Sequence, residues 1–338
     1  MEATAEKYAE LFNTMGILSD AGVMAYRTKT IKSGKMLEAE LFPIYAGRAE
    51  CIRLKEQKRK ISAEVMQEAN ERNSWKRMNR LTHANFGEGD FWCTLTYAEG
   101  QSVTREQAKR DMRNFIARVQ REREKQGLGK TKYIYVIEWG ETNGRIHHHI
   151  IMEKMDWESV HKLWKMGRTE VQRLQEDDKG GYKAMTRYML KRLRPNGEGL
   201  RRKEKSWAAS KGMKKPVEFV SDRKVSRRRV ERIAKAMIGE ESEAREIFEK
   251  TYPGYRMESV SVKICEWAPG AYIYCTMFKE ERNGAGRSKG AGGIIPVGGI
   301  RAGEMAGAGG DASHTKRRKQ KQGGGGTAQG AGRKGRGA

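Results

Sequence analysis

The chain has 338 residues and a formal net charge of +25, with Lys and Arg outnumbering Asp and Glu 68 to 43. It holds no apolar run of the roughly 18 residues that a membrane helix needs, and the polar, acidic start MEATAEKYAELFN matches neither a secretory nor a mitochondrial signal. A membrane protein and an exported protein are therefore excluded at this stage, and the cytoplasm of a bacterial host is the expected location. The Cys at 51, 93, 265 and 275 have no Cys-x-x-Cys spacing, which argues against zinc fingers and a disulfide framework. Residues 283–338 combine 11 Lys/Arg and 19 Gly with no aromatic residue and cannot bury a core, so this tail is expected to be disordered. Residues 1–282 still carry +16, so the folding part itself attracts a polyanion, of which nucleic acid is the simplest.

In chain order, residues 1–20 read as a short helix. Residues 22–46 alternate around Ser-Gly-Lys and read as a β-hairpin of about eight residues per arm. The charged stretch 48–82 has sparse apolar positions, which predicts a surface helix presenting Lys and Arg. FWCTLTY, 91–97, is a predicted strand. Thr104 with Gln107 three residues on matches a capping box and opens a helix. Ala108, Met112, Phe115, Ile116 and Val119 share the inner face of that helix, with Arg110, Arg113, Arg121 and Arg123 mostly on the others. Residues 130–140 and 145–152 are predicted strands joined by a turn over 141–144. Next come a helix over 156–166, a short strand over 168–174 and a helix over 180–195 stopped by Pro195. A strand over 216–220, a basic helix over 222–238, a further helix after 241 and a hairpin over 258–278 complete the pattern. The expected class is α+β: an antiparallel sheet covered by helices on one side.

Three of the six histidines stand together at 147–149. Strand residues two apart share a face, so His147 and His149 point the same way and His148 the other. Two imidazoles on one face can reach one cation. Glu138 falls near them if 141–144 is a tight turn, with Glu141 as the substitute in another register; a carboxylate beside two imidazoles makes a compact three-ligand site. His148, sharing its face with Ile146 and Ile150, reads as structural. On the later helix Tyr188, Lys191 and Arg192 are spaced to share a face, with Tyr182 on another. A tyrosine becomes a nucleophile when a cation or base favours its phenolate, which Lys191 can supply.

FWCTLTY, GRIHHHII (144–151) and YMLK (188–191), in that order, resemble the motifs of rolling-circle replication initiator (Rep) proteins of the HUH endonuclease superfamily. The likeness is to replication-associated proteins of small phage- or plasmid-like elements. It implies an RRM-like sheet, Mg²⁺ or Mn²⁺ on Glu138, His147 and His149, and Tyr188 as nucleophile with Lys191 as its partner. It further implies nicking and rejoining of single-stranded origin DNA through a 5′-phosphotyrosine, with a 3′-OH primer released. Thr94, Thr96, Tyr97, Arg187 and Arg192 are the expected DNA contacts. Trp92, Tyr133, Tyr135 and Trp139 are further candidates for base stacking. The expected division is 1–85 (hairpin and basic helix), 86–240 (nicking domain), 241–282 (helix and hairpin) and the tail. No Gly-x4-Gly-Lys-Ser/Thr is present, so a host helicase and polymerase are expected partners. The rival readings are an HUH relaxase or transposase, a non-catalytic RRM-like nucleic-acid binder, and a metal-dependent hydrolase that uses water.

Overall fold

The computed structural model describes residues 23–45, 63–139, 145–178, 181–190, 205–236, 241–265 and 268–280. The expected helix over 1–20, the first part of the 48–82 stretch, the turn at 141–144, Lys191, Arg192 and the tail lie outside these residues. The strands are β1 (Val23–Ser33), β2 (Met36–Tyr45), β3 (Phe91–Thr96), β4 (Tyr133–Trp139) and β5 (Ile146–Met152), followed by β6 (Thr169–Arg173), β7 (Ala208–Ala209), β8 (Val217–Ser221), β9 (Tyr255–Cys265) and β10 (Ala268–Lys279). The helices are α1 (Ala63–Asn85), α2 (Arg105–Lys125), α3 (Trp157–Leu163), α4 (Lys183–Met189), α5 (Arg227–Ala236) and α6 (Glu241–Thr251).

The strands form two antiparallel sheets, ordered β8-β1-β2-β10-β9 and β6-β3-β5-β4-β7. The protein is α+β. In the second sheet the run β3-α2-β4-β5-α3-β6 is a β-α-β-β-α-β unit with β3 and β5 central, the RRM-like arrangement. The first sheet joins the hairpin β1-β2 to the hairpin β9-β10 through β2 and β10, and β8 pairs on β1. Its core packs Tyr26, Leu41, Ile273 and Met277 against Val230 and Ile233 of α5 and Phe248 of α6.

Alternation in the first hairpin continues beyond eight residues, giving arms of 11 and 10. Ser33 pairs with Met36, leaving Gly34 and Lys35 as a two-residue turn. Gly34 has φ +59°, and a Cβ there would stand 2.0 Å from the His83 carbonyl oxygen, so only glycine fits.

Both faces of the second sheet are covered, not one. Cys93, Leu95, Ile150 and Met152 pack against Met112, Phe115 and Val119 of α2 and Val160 of α3. Ile134, Val136 and Ile151 face Met78 of α1 and Tyr182 and Met189 at α4. Thr104 caps α2 by accepting from Gln107 N at 3.3 Å, while the Gln107 amide turns to Asp111. Only half of the capping box forms. Arg123 does not lie outside: it is 5% exposed, because its guanidinium donates to the carbonyls of Gly129 and Lys154.

The largest departure is α1. Its second half is a buried connector, with Met78 and Thr82 at 0% exposed and Asn79 and His83 nearly so. Arg80 pairs with Glu38 and Glu40 of β2 at 2.5 and 2.9 Å, and Lys76 with Glu40 at 3.4 Å, while Met78 faces the second sheet. A helix buried through satisfied polar groups lacks the apolar stripe that periodicity detects. Among the described residues no helix is long and apolar enough to cross a membrane.

Candidate functional site

The cluster forms where β3, β5 and β4 run side by side. Thr96, His147 and Glu138 are direct cross-strand partners in one row, and Thr94, His149 and Val136 in the row two residues away. Strand parity therefore puts both threonines, both histidines and Glu138 on one face, as expected for His147 and His149. Nε2 of His149 stands 2.5 Å from Glu138 Oε2, with one proton shared between them. Nδ1 of His149 is 3.2 Å from Thr94 Oγ1, and Nδ1 of His147 is 3.2 Å from Thr96 Oγ1. Glu138 and His149 are buried, and His147 is half-buried.

Burial lowers the pKa of His147, and the neighbouring His149 lowers it further, against a smaller opposing pull from Glu138. His147 is therefore neutral at pH 7, with one ring nitrogen carrying a lone pair. Among the described residues, no three His, Cys, Asp or Glu side chains stand ready-arranged around one ion, since Glu138 is engaged by His149. The chemistry of the donor set nevertheless fits a divalent cation. A buried carboxylate and two neighbouring imidazoles, each held by its Nδ1 edge, are the hard-to-borderline ligands that Mg²⁺, Mn²⁺ and Zn²⁺ accept.

His148 points the opposite way, fully buried. Its Nε2 is 3.1 Å from the Tyr97 hydroxyl, which donates to Asp111 at 3.0 Å, and burial holds its pKa down to about 3. The structural reading of His148 fits this placement. Tyr97 is displaced from its expected part: at 3% exposed, inside this chain and edge-on to Trp164, it offers no face to a base. Tyr133, Tyr135 and Trp139 pack against the α2 side of the sheet, Trp139 beneath Arg105. Thr94 and Thr96 are on the site face, with their hydroxyls directed to the histidines.

Tyr188 stands at the same face. Its ring is edge-on to His149 at 5.5 Å and to Trp92 at 6.0 Å, and it is 49% exposed. The seven-residue helix that carries it is too short to hold itself, and α1 fixes it. Trp75, Asn79 and His83, spaced four apart, form one stripe on α1. Trp75 Nε1 donates to Thr186 Oγ1 at 3.1 Å, Thr186 Oγ1 lies 3.0 Å from Asn79 Oδ1, and the Tyr182 N–H donates to His83 Nε2 at 3.3 Å. Arg187 is exposed, with its guanidinium over the Trp75 ring at 4.6 Å. Tyr182 precedes the first turn, 2% exposed and stacked on His83, with no partner for its hydroxyl. Burial raises its pKa far above the ordinary tyrosine range. Sequence reading missed the Trp75-Asn79-His83 stripe; the signal was the four-residue spacing of hydrogen-bonding side chains on a helix poor in apolar residues.

Residues 90–193 match the family described as replication-associated protein ORF2. No curated protein matches the chain. The crystal structure of the hypothetical protein ORF119 from Sulfolobus islandicus rod-shaped virus 1 aligns over 38% of this chain and 97% of that chain, at 15% identity and a TM-score of 0.25. The family match runs from the start of β3 past the end of α4. It therefore contains Glu138, His147, His149 and Tyr188, and it supports a replication-associated role for the protein.

Proposed function

We propose that the protein is a rolling-circle replication initiator of the HUH endonuclease type. It nicks and rejoins single-stranded origin DNA through a 5′-phosphotyrosine and frees a 3′-OH primer. The observation that carries this reading is the contact of Tyr188 with His149 on the sheet face that also bears Glu138 and His147, within the segment matched to a replication-associated family.

Tyr188 is half exposed, so a strand of DNA can reach its hydroxyl while the edges of His149 and Trp92 fix the ring. Its Oη attacks the scissile phosphorus in line. The bond from phosphorus to the 3′-oxygen breaks, the phenolic proton leaves, and the 3′-oxygen takes one up. Because the phosphotyrosine conserves the ester, the same step run backwards rejoins the strand. Mg²⁺ or Mn²⁺ held by Glu138, His147 and His149 would supply Lewis acidity and a positive charge for the non-bridging phosphate oxygens. His147, neutral through burial, offers a lone pair without first losing a proton. Lys191 and Arg192 continue the chain just past α4, and we assign them to the phosphates beside the nucleophile. Arg187 and the exposed cations Lys211, Lys214, Lys215, Arg228 and Arg229 supply sequence-independent attraction to the DNA backbone. A host helicase and polymerase would use the 3′-OH.

The test is incubation with single-stranded origin DNA and Mn²⁺, followed by a denaturing gel and mass spectrometry. The expected result is a covalent adduct on Tyr188 that is absent from Tyr188→Phe. Cleavage without an adduct would move the protein to water-using hydrolases, and an adduct on another tyrosine would overturn the assignment.

A further inference from the structure

We propose that Thr94 and Thr96 are positioning residues. Each holds one site histidine by its Nδ1 atom, so that the Nε2 edge of the imidazole faces the site. The inference rests on the reading of Glu138, His147 and His149 as a cation site, and it replaces the expectation that the two threonines contact DNA.

The geometry comes from the register. Thr94 is the direct cross-strand partner of His149, and Thr96 of His147. The two rows repeat one contact, Oγ1 to Nδ1 at 3.2 Å in both. A neutral imidazole carries one N–H, and the partner of one nitrogen selects which nitrogen that is. A hydroxyl oxygen that accepts from Nδ1–H leaves Nε2 with its lone pair. The direction of Nε2 is visible at His149, where that atom meets Glu138 at 2.5 Å. Glu138 is in turn the cross-strand partner of His147, so the Nε2 edge of His149 opens toward the row that holds the other two donors.

Threonine suits the position for two further reasons. Its β-branch fits a central strand and restricts χ1, so the hydroxyl stays where the ring needs it. The strand also has no slack. Cys93 and Leu95, which alternate with the two threonines, are fully buried against α2 on the far face. A one-residue slip would bury both hydroxyls and withdraw both contacts together. The Thr-Leu-Thr spacing of β3 thus mirrors the His-His-His spacing of β5, and its chemistry is to orient ligands.

Thr96→Val keeps the shape and removes the hydroxyl, whereas Thr96→Ser keeps the hydroxyl. The full-length protein without DNA is titrated with Mn²⁺ alone, and nitrogen NMR of the imidazoles reads the tautomer of His147. We expect an Nδ1–H tautomer at His147 in the unaltered protein and in Thr96→Ser. In Thr96→Val we expect a mixture of tautomers and Mn²⁺ affinity lower by roughly 10–100-fold, the usual effect of losing a group that orients a ligand. The same pattern is expected at His149 for Thr94→Val against Thr94→Ser. An Nε2–H tautomer at His147 in the unaltered protein, or Thr96→Val with unchanged tautomer and affinity, overturns the proposal. Absence of Mn²⁺ binding by the unaltered protein sinks the cation reading instead, and the spectra then still decide whether the threonines set the tautomer.

Discussion

Thr186→Val tests whether α1 holds the helix that carries Tyr188. The Thr186 side chain is fully buried, and its Oγ1 accepts from Trp75 Nε1 and lies in reach of Asn79 Oδ1 and the carbonyls of Tyr182 and Lys183. Valine has the same shape, so no cavity forms, but the indole N–H and the Asn79 amide oxygen both lose this partner. A buried polar group left unpaired costs about 1–3 kcal/mol. Asn79 is 5% exposed and falls at the upper end, whereas Trp75 is half-buried and falls at the lower end. The expected loss is about 2–4 kcal/mol. Thr186→Ser keeps the hydroxyl and loses one methyl, about 1 kcal/mol. Urea unfolding of the two variants measures the difference, and an adduct assay under folding conditions measures how far Tyr188 has drifted from His149. We expect valine to cost more than serine on both scales. A valine variant as stable as the serine variant, with undiminished adduct formation, would refute the reasoning that these hydrogen bonds fix α4.

His147→Ala and His149→Ala should each abolish nicking while DNA binding, measured by a gel-shift assay, survives, because the basic surface is untouched. His148→Ala should instead lower stability by about 2–3 kcal/mol by breaking the buried chain to Tyr97 and Asp111, read by thermal melting. Tyr182→Phe removes a buried hydroxyl that has no partner, so it should raise stability by about 1 kcal/mol and keep the adduct. Burial holds His83 down to about 4 against 6.5 in the unfolded chain. Between those values the unfolded state binds more protons, so His83 contributes stability above pH 6.5 that is lost as pH falls toward 4. The loss is about 3 kcal/mol, and His83→Gln should flatten that part of the urea-midpoint profile. Deleting 283–338 should weaken DNA binding at low salt and reduce the salt slope with nicking kept; loss of nicking at saturating DNA would place the tail in the site.

The fold was legible wherever one face of an element is apolar. Phe91, Cys93 and Leu95 alternate with polar residues, and Ala108, Met112, Phe115 and Val119 recur at helical spacing, so β3 and α2 were found with their faces. Period says nothing about which strands meet across a long interval, and the pairing of β2 with β10 was therefore invisible. That register joins Leu41 to Ile273, 232 residues apart, so it depends on tertiary packing alone. Arg80 and Asn79 escaped for a related reason. Their types read as surface, and only the presence of Glu38, Glu40 and Thr186 makes burying them tolerable.

The candidate site was legible to the extent that strand parity could carry it. Parity alone puts His147 and His149 on one face and His148 on the other, and the short link between β4 and β5 brings Glu138 opposite His147. Parity could also have assigned Tyr97. It lies beyond Thr94 and Thr96 by an odd step, on the face of Leu95, and the same rule that paired the histidines sends it inward to His148. Aromatic composition suggested a base-stacking surface there, and the alternation of the strand was the stronger constraint. Tyr188 could not be placed by any local rule. Its position depends on a seven-residue helix fastened by hydrogen bonds from a helix that begins 120 residues earlier in the chain. Motif order carried the expectation, and the physical reason for it is α1: the connector that ties the RRM-like sheet to the first sheet also holds Tyr188 against His149. Mutations at this connector, far in sequence from all three motifs, should therefore reach the reaction through the placement of one ring.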